Sequence, residues 1–270
     1  MASSADPLAD AGATVIVLAA QRGGRLDPLA DKAGVSHKCL VEISGRPLIA
    51  HVLAALAQVE GVGQVNISVE PEVVPELKGL GNFGLSIDYV PAARNIADSG
   101  FAAAHRVEGP MIVTTADNVL LTPAAVGQMI AKLAEGAEVV VALTTREAVL
   151  AAHPQGQRRF YRFADASYSN CNLYGLHGAK AVQLAEAFRS GGQFVKNPKR
   201  LAMAVGIFNL LLFRLALYSL PAAMRRLSKR FGVRIEALVL ADGSHAIDVD
   251  NDRTYAIART LLDKRLFQSH

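Results

Sequence analysis

The chain of 270 residues has no tryptophan and only two cysteines, Cys39 and Cys171. Two cysteines so far apart match no zinc-ligand spacing and cannot supply the disulfide framework of a small secreted domain. The first residues, MASSADPLADAG, are small and polar, so they lack the charged start and apolar centre of a secretory signal. We therefore expect two free thiols in a cytoplasmic protein.

Acidic residues are absent from residues 189–234, although this segment holds ten Lys and Arg residues. A segment of one charge sign favours an anionic partner, which leaves a phosphorylated substrate, an anionic lipid or nucleic acid. Aromatic residues do not alternate with the charges and no nucleic-acid-binding module is recognisable, so we expect no nucleic acid. A basic face that only meets solvent is the other interpretation.

Long apolar runs are also scarce, and one of them, residues 201–220, has about the length that spans a bilayer. Asn209 and Arg214 interrupt this run, and an arginine in lipid costs at least about 3 kcal/mol. Basic clusters lie on both sides of it, so it carries no orientation signal. We expect buried helices here, with peripheral contact to a membrane through the basic flanks as the alternative.

Predicted strands and helices alternate through the first half of the chain. Apolar, β-branched runs predict strands at 14–20, 63–70, 85–92, 110–117 and 137–147. Helical periodicity predicts helices at 46–59, with Pro47 in the first turn, at 95–107, with Asp98 or Ser99 as the cap, and at 122–136, between Thr-Pro and Gly. Such alternation is typical of an α/β fold with a mostly parallel sheet, in which ligands bind beyond the carboxyl ends of the strands.

The pattern changes after residue 148. We expect a loop with a hairpin over 153–178, a helix over 178–192, two or three helices within about 194–231, strands at 233–243 and 245–251, and a terminal helix over 252–267. No internal repeat is present. The interpretation is one domain over residues 1–270, with halves 1–147 and 148–270 and a helical insertion at about 194–231.

Two stretches near the N-terminus favour phosphate binding. In LAAQRGGRL (18–26) glycines follow a strand, which lets main-chain amides point at phosphates, and Arg25 adds a charged donor. In SHKCLVEISGRPLIAHVL (36–53), Lys38 can neutralise charge on a phosphoryl group during transfer. A tight turn with a surface arginine, and a solvated lysine, are the alternatives.

Acidic residues mark two further points. Asp117, in TTADNVLL, ends a buried strand, where a carboxylate costs desolvation unless it is paired or binds a metal such as Mg²⁺. Asp248 and Asp250 lie two residues apart in a predicted strand, so both face one side and repel unless a cation lies between them. Caps of a turn or of the last helix are the alternatives for these acids.

Together these motifs resemble the nucleotidyltransferase superfamily with the GT-A-type fold, which includes MobA-like transferases and sugar- or alcohol-phosphate NTP transferases. The family pattern L-A-A-G-x-G-x-R-[LM], P-K-x-L and G-x-P-[LI] corresponds here to LAAQRGGRL, SHKCLVEI and SGRPLIAHVL. TTADNVLL is similar to its strand-ending metal Asp, and IDVDNDRTYAIA to its late acidic step. The motifs occur in the family's order over nearly the whole chain. The fold implied is a three-layer α/β/α arrangement around a mostly parallel mixed sheet.

The resemblance also implies roles for the matching residues. The nucleobase and ribose would contact the main chain of Leu18, Ala19 and Ala20, with Asn95 and Ser99 near the base. Gly23, Gly24 and Arg25 would hold the triphosphate. Lys38 would bind the phosphates and stabilise the transition state. Mg²⁺ would be bound by Asp117 and Asp250, with Asp248 as the alternative to Asp250. The first half is then the nucleotide-binding half and the second half the acceptor-binding half.

Two positions depart from the family pattern. Gln21 replaces the first glycine of the loop, so its side chain must point away from the nucleotide or reach the base or the acceptor. His37 replaces the proline before the lysine. A His-Lys pair also occurs in choline-phosphate-type cytidylyltransferases, and for this reason CTP is the favoured nucleotide, with GTP and UTP left open.

The implied reaction transfers NMP from an NTP to a phosphorylated sugar or alcohol and releases pyrophosphate. The acceptor phosphate is already a nucleophile, so positioning and charge neutralisation by Mg²⁺, Lys38 and Arg25 suffice. The acceptor site is expected in the second half, at Arg158, Arg159, Asn172, Lys196, Lys199 and Arg200. The rival functions are an NAD-binding enzyme, a GT-A glycosyltransferase, and a nucleotide-binding regulatory protein without catalysis.

Overall fold

The computed structural model describes residues 12–21, 25–92, 109–187 and 215–268. The predicted helix at 95–107 and most of the insertion lie outside these residues. Seven predicted site residues lie outside them as well: Gly23, Gly24, Asn95, Ser99, Lys196, Lys199 and Arg200.

The centre of the fold is an eight-stranded sheet, accompanied by a separate pair of short strands. In chain order the strands are β1 (Ala13–Leu18), β2 (Glu42–Ile43), β3 (Arg46–Pro47), β4 (Val62–Val69), β5 (Ile87–Pro91), β6 (Met111–Thr115), β7 (Val139–Thr145), β8 (Tyr161–Arg162), β9 (Ser167–Leu176) and β10 (Ile235–Leu240). The order across the large sheet is β10-β7-β9-β6-β1-β4-β5, with β8 paired to β9, while β2 and β3 pair with each other.

Most of the large sheet is parallel. β1 lies between β4 and β6 and is parallel to both, and β5 and β10 also pair in parallel with their neighbours. β9 runs antiparallel to β6, β7 and β8. The predicted mostly parallel mixed sheet is therefore confirmed. Since parallel strands end at a common edge, the loops after β1, β4 and β6 meet there.

Eight α-helices are present in the described part of the chain. They are α1 (Pro28–Ala33), α2 (Leu48–Leu56), α3 (Val74–Gly79), α4 (Pro123–Ala134), α5 (Arg146–Ala152), α6 (Ala179–Ala187), α7 (Leu220–Phe231) and α8 (Asp252–Gln268). The predicted helical punctuation is seen at α4, where the Thr122 hydroxyl accepts from the amide of Ala125 and Pro123 opens the helix. Short 3-10 helices occur at Lys38–Leu40, Pro71–Val73 and Gly243–Ala246.

Apolar side chains on both faces of the sheet show that the fold has three layers. In β1, Val15 and Val17 pack in the cluster that contains α2 and α4, whereas Ile16 packs in a second cluster that contains Ala181 of α6. Successive strand residues point to opposite faces, so α2 and α4 cover one face and α6 the other. The two cysteines are free, as predicted, and both are buried.

Two predicted strands differ from the structure. Residues 146–147, expected to end the strand at 137–147, instead begin α5, because Thr145 caps this helix by accepting from the amide of Ala148. The expected strand at 245–251 is wrong. The Asp242 carboxylate accepts from the amide of Ser244 and closes a 3-10 turn instead, and the chain then runs on without a strand to α8.

The apolar run at 201–220 lies mostly outside the described residues. Within the part of the chain that is described, no helix is both long and apolar enough to cross a membrane. Contact of this region with a membrane surface stays a prediction.

Candidate active site

Lys38 lies between two carboxylates at the carboxyl edge of the sheet. Its Nζ is 3.0 Å from Oδ1 of Asp250 and also donates to Oδ2 of Asp117. Only 19% of the Lys38 side chain and 14% of that of Asp117 are exposed. The structure thus brings together three residues that are separated in sequence by 79 and 212 positions.

Local sequence explains how each of these three side chains reaches the site. Cys39 and Leu40 are buried in the main core, so the 3-10 turn that begins at Lys38 is anchored and its lysine faces the sheet edge. Asp117 stands two residues after β6, and Asp250 stands two residues before α8. The amide of Val249 donates to the carbonyl of Asp117 at 3.2 Å, which places the segment of Asp250 beside the end of β6.

The surroundings of Lys38 keep it charged. Burial alone would lower the pKa of its ammonium, but the charges and hydrogen bonds of Asp117 and then of Asp250 outweigh burial, so the pKa lies above the ordinary value of 10.5. A permanent positive charge at this position suits the neutralisation of phosphate oxygens.

The acidic residues of the site also fit a divalent cation. Oδ1 of Asp117 is buried and accepts no hydrogen bond, although its partner oxygen is bonded to Lys38. Across the described ranges, no group of three or more His, Cys, Asp or Glu residues could hold a metal ion. Mg²⁺ commonly takes one or two carboxylates and completes its shell with substrate phosphates and water. Asp117 and Asp250 would be those carboxylates.

Asp248 takes a different direction from Asp250. Its Oδ2 accepts from Nδ2 of Asn172 at 2.5 Å, whereas Asp250 joins Lys38. The expectation that both aspartates face one side of a strand is therefore wrong, because residues 247–251 do not form a strand. Of the two, the structure brings Asp250 to the cluster of Asp117 and Lys38.

Asn172 reaches Asp248 because β9 is irregular at this point. β7 pairs Val141 with Tyr174 but Leu143 with Asn170, so residues 171–173 form a bulge. Asn172 adopts φ of 46°, in the left-handed region that Asn tolerates better than most residues. Bulges beside active sites re-aim side chains, and this one turns the predicted acceptor-binding Asn172 towards the site.

The loop after β1 is tied to β4 and to the Lys38 segment by Gln21. The main-chain amide of Gln21 donates to Oε1 of Glu70 at 2.9 Å, and its side-chain Nε2 donates to the carbonyl of Ser36 at 2.7 Å. The other carboxylate oxygen of Glu70 lies 3.3 Å from Nε2 of His37, which is almost fully buried. Gln21 and His37, the two residues that depart from the family pattern, therefore both contact the carboxylate of Glu70. His37 immediately precedes Lys38 in the sequence.

Glu70 was not among the predicted site residues. It follows β4 directly, at the same edge of the sheet as Asp117 after β6. An acidic residue directly after a predicted strand was the sequence signal that could have identified Glu70 as a site residue. Among the predicted loop residues that the structure describes, Leu18 accepts through its carbonyl from the amide of Ala116, the amide of Ala19 donates to the carbonyl of Ser68, and Arg25 is exposed.

A cleft of about 650 Å³ opens next to this cluster. Its wall includes Arg158, Arg159 and Asn172, which the sequence assigned to acceptor binding, together with Asp248, Asp250 and Arg253. The acceptor-side residues of the second half that the structure describes thus share one cleft with an aspartate of the Lys38 cluster.

Residues 15–231 match the family model of the MobA-like NTP transferase domain. The chain belongs to this family. The solved structure of a hypothetical transferase from Thermus thermophilus is 28% identical, with a TM-score of 0.73, over 90% of this chain and 99% of that one. No curated protein sequence matches the chain.

Two further solved structures resemble this MobA-like domain in fold. One is a CMP:2-keto-3-deoxy-manno-octonic acid synthetase complexed with CTP, with 18% identity and a TM-score of 0.58 over 94% of this chain and 99% of that chain. The other is 4-diphosphocytidyl-2C-methyl-D-erythritol synthase from Anaerococcus prevotii, with 11% identity and a TM-score of 0.59 over 95% of this chain and 98% of that chain. At these identities the likeness concerns the fold alone.

The family match confirms the resemblance drawn from the motifs and favours it over an NAD-binding fold. The match ends at residue 231, before Asp248 and Asp250. Asp250 therefore lies outside the matched residues, but its contact with Lys38 places it at the site formed by the MobA-like domain.

Proposed function

We propose that the protein is a Mg²⁺-dependent nucleotidyltransferase that transfers NMP from an NTP, with CTP favoured, to a phosphorylated sugar or alcohol. The observation that carries this proposal is the cluster of Lys38, Asp117 and Asp250, which lies at the carboxyl edge of the sheet beside the loop after β1. A permanent cation and two carboxylates at this edge suit the binding of a triphosphate and its metal.

In the proposed reaction an oxygen of the acceptor phosphate attacks the α-phosphorus of the NTP. The bond from that phosphorus to the oxygen bridging to the β-phosphate breaks, and pyrophosphate leaves with the bonding electrons. The attacking phosphate oxygen is already anionic, so no side chain has to remove a proton. Bound Mg²⁺ would neutralise charge on the phosphate oxygens.

The residues of this chain have the following parts in the proposal. Lys38 moves from the carboxylates to the phosphates and stabilises charge that builds up in the transition state. Arg25 adds a second cation at the end of the loop. Asp117 and Asp250 would hold the metal, and Glu70 would keep Gln21 and His37 in place beside the loop after β1. These groups act through position and charge.

The preference for CTP rests on the His37–Lys38 pair. It gains support from the two structures named for CMP and diphosphocytidyl products, at the level of fold. The phosphorylated acceptor rests on the arginines of the cleft.

Pyrophosphate release tests the proposal. Each of the four NTPs is combined with Mg²⁺ and a panel of sugar and alcohol phosphates. We expect release with CTP and one acceptor class, and its loss in Lys38→Ala and Asp117→Ala. Lys264→Ala, an exposed lysine on α8, is the matched control and should keep the full rate. Full rate in the Lys38 and Asp117 variants would contradict the site.

Gln21 is the observation that favours a second candidate, a nucleotide-binding regulatory protein without transfer, because it replaces a glycine of the family loop. NTP binding without pyrophosphate release for any pair would support this candidate. Transfer from a nucleotide sugar without a need for an NTP would support a glycosyltransferase instead.

A further inference from the structure

Three arginines on the wall of the cleft have no acidic partner within the part of the chain that the structure describes. Arg158, Arg159 and Arg253 line the cleft, and no carboxylate in the described ranges lies within ion-pairing distance of them. Surface arginines usually face solvent singly, whereas these converge on one concave surface. The same surface also holds Asp250 of the Lys38 cluster.

Hydrogen bonds fix the position of this arginine wall. Nε2 of Gln157 donates to the carbonyl of Ala246 at 3.3 Å, and its Oε1 accepts from the amides of Arg158 and Arg159 at 2.8 and 3.3 Å. From the other side, Nη1 of Arg253 donates to the carbonyl of Gln155. The loop before β8 and the start of α8 are thus held together, and both present guanidinium groups.

The positive charges of Arg158 and Arg253 repel each other. The pKa of Arg253 lies below its ordinary value, first because of burial and second because of the positive charge of Arg158. Two like charges near each other, neither of them paired with a carboxylate of the described residues, are an unfavourable arrangement that a bound anion relieves. Guanidinium groups bind phosphate through two parallel hydrogen bonds, which makes them well suited to this task.

The rest of the wall is polar and suits hydroxyl groups. Asn170 and Asn172 line the cleft and bond to each other at 2.8 Å. Both aspartates of the wall have other contacts, Asp248 with Asn172 and Asp250 with Lys38. A cationic headgroup would therefore face three guanidinium groups, and the wall supplies one aromatic ring, that of Tyr161, in place of an aromatic cage.

We propose that Arg158 and Arg253 bind the phosphate of the acceptor, and that the acceptor is a hydroxylated, net anionic compound such as a sugar or polyol phosphate. Amino-alcohol phosphates bind more weakly to this subsite, because the wall would place guanidinium groups near their cationic headgroup. That the bound compound is the acceptor of the reaction rests on the proposed function. The phosphate-binding subsite depends only on the residues of the cleft. The sequence did not predict Arg253 as an acceptor-binding residue.

Direct binding without nucleotide tests the subsite separately from turnover. The probes are glycerol 3-phosphate, glucose 1-phosphate and phosphocholine, titrated into the whole protein by calorimetry. We expect the two hydroxylated phosphates to bind more tightly than phosphocholine. Arg158→Gln and Arg253→Gln should each weaken their binding about tenfold or more, because a charge-assisted hydrogen bond is lost.

Two controls accompany these variants. Arg259→Gln removes an exposed arginine from the same helix, α8, and should bind the probes as the wild type does. Arg158→Lys keeps the charge without the planar fork and should lose less affinity than Arg158→Gln. With an active NTP and acceptor pair, the two glutamine variants should raise the KM for the acceptor about tenfold and leave that for the NTP within about twofold.

The inference is overturned if phosphocholine binds as tightly as the hydroxylated phosphates, if both glutamine variants bind like the wild type, or if the wild type binds none of the probes. Arginine-dependent phosphate binding without pyrophosphate release for any pair would contradict the proposed function and leave the subsite intact.

Discussion

Nζ of Lys38 lies 3.0 Å from Oδ1 of Asp250, and the same ammonium bonds to Asp117. The lysine thus holds the place between the two carboxylates that the proposed mechanism gives to a metal. Since an ammonium and a divalent cation repel each other, the lysine must leave the carboxylates before both can bind metal. The phosphates of the NTP are the groups that can attract it away.

This contact predicts that removing a positive charge strengthens metal binding. In the absence of nucleotide, Lys38→Met should bind Mn²⁺ more tightly than the wild type, by about tenfold. Titration followed by electron paramagnetic resonance of free Mn²⁺ measures this. Asp117→Asn should weaken binding, and Lys264→Met should leave it unchanged. Equal or weaker Mn²⁺ binding by Lys38→Met would show that the two carboxylates are not the metal ligands.

Glu70 is predicted to position the nucleotide site through Gln21 and His37. Glu70→Ala removes the oxygen that accepts from the amide of Gln21 and the carboxylate that lies 3.3 Å from His37, so we expect kcat/KM for the NTP to fall about tenfold. Glu70→Gln keeps an oxygen that can accept from the amide of Gln21, so its kcat/KM for the NTP should fall less. Steady-state kinetics checks both, with Glu72→Ala, an exposed acid two residues further on, as control. A Glu70→Gln variant as impaired as Glu70→Ala would argue that its charge alone matters.

Gln21 itself should tolerate change. Its side chain donates to the carbonyl of Ser36 in an exposed setting. The hydrogen bond to Glu70 comes from its main-chain amide and does not depend on the side chain. Gln21→Gly should therefore keep NTP affinity within about twofold and lower the free energy of unfolding by about 1 kcal/mol. NTP titration and urea unfolding measure the two quantities. Lost turnover with intact NTP binding would instead make Gln21 an acceptor-specificity residue.

His245 predicts a loss of stability in mild acid. Burial, and less so the charge of Arg265, lowers its pKa to about 4 from 6.5, against the opposing effect of Asp242. Between these two pH values the unfolded chain binds a proton that the folded protein does not, so the free energy of unfolding falls as the pH drops from about 6.5 towards 4. The loss attributable to this histidine is on the order of 3 kcal/mol.

Urea unfolding at several pH values measures this dependence, and His245→Asn provides the comparison. The variant should be less stable at pH 7, because it loses packing and the contact with Thr122. Its stability should nevertheless depend less on pH below about 6.5. Parallel curves for the two proteins would show that another group is responsible.

Gly243 is predicted to be irreplaceable for a steric reason. A Cβ atom at this position would lie 2.1 Å from the main-chain carbon of Ala148 in α5, and main chain cannot move aside as a flexible side chain can. Gly243→Ala should cost about 3 kcal/mol or more. Gly127→Ala, in α4 with nothing within 4 Å of the new Cβ, should instead stabilise by about 0.5–1 kcal/mol. Thermal unfolding of both variants checks the contrast.

Local sequence was sufficient for much of the fold. The apolar runs that became β1, β4, β6 and β7 follow from residue type and period, and Thr122 with Pro123 marks the start of α4. The motif order predicted the family and the mostly parallel mixed sheet, both of which are confirmed. α5 was missed because its short segment follows β7 directly and its cap, Thr145, also belongs to the strand.

The sequence by itself determined which groups stand at the ends of the strands, because strand period, glycine turns and helix caps are local. It placed the LAAQRGGRL loop and Asp117 at the carboxyl ends of strands. Only the tertiary structure decided that Asp250 joins Lys38 while Asp248 joins Asn172, and that Arg253 shares a wall with Arg158. Those choices depend on a bulge in β9 and on the hydrogen bond from Val249 to Asp117, contacts between residues far apart in the chain that no local pattern records.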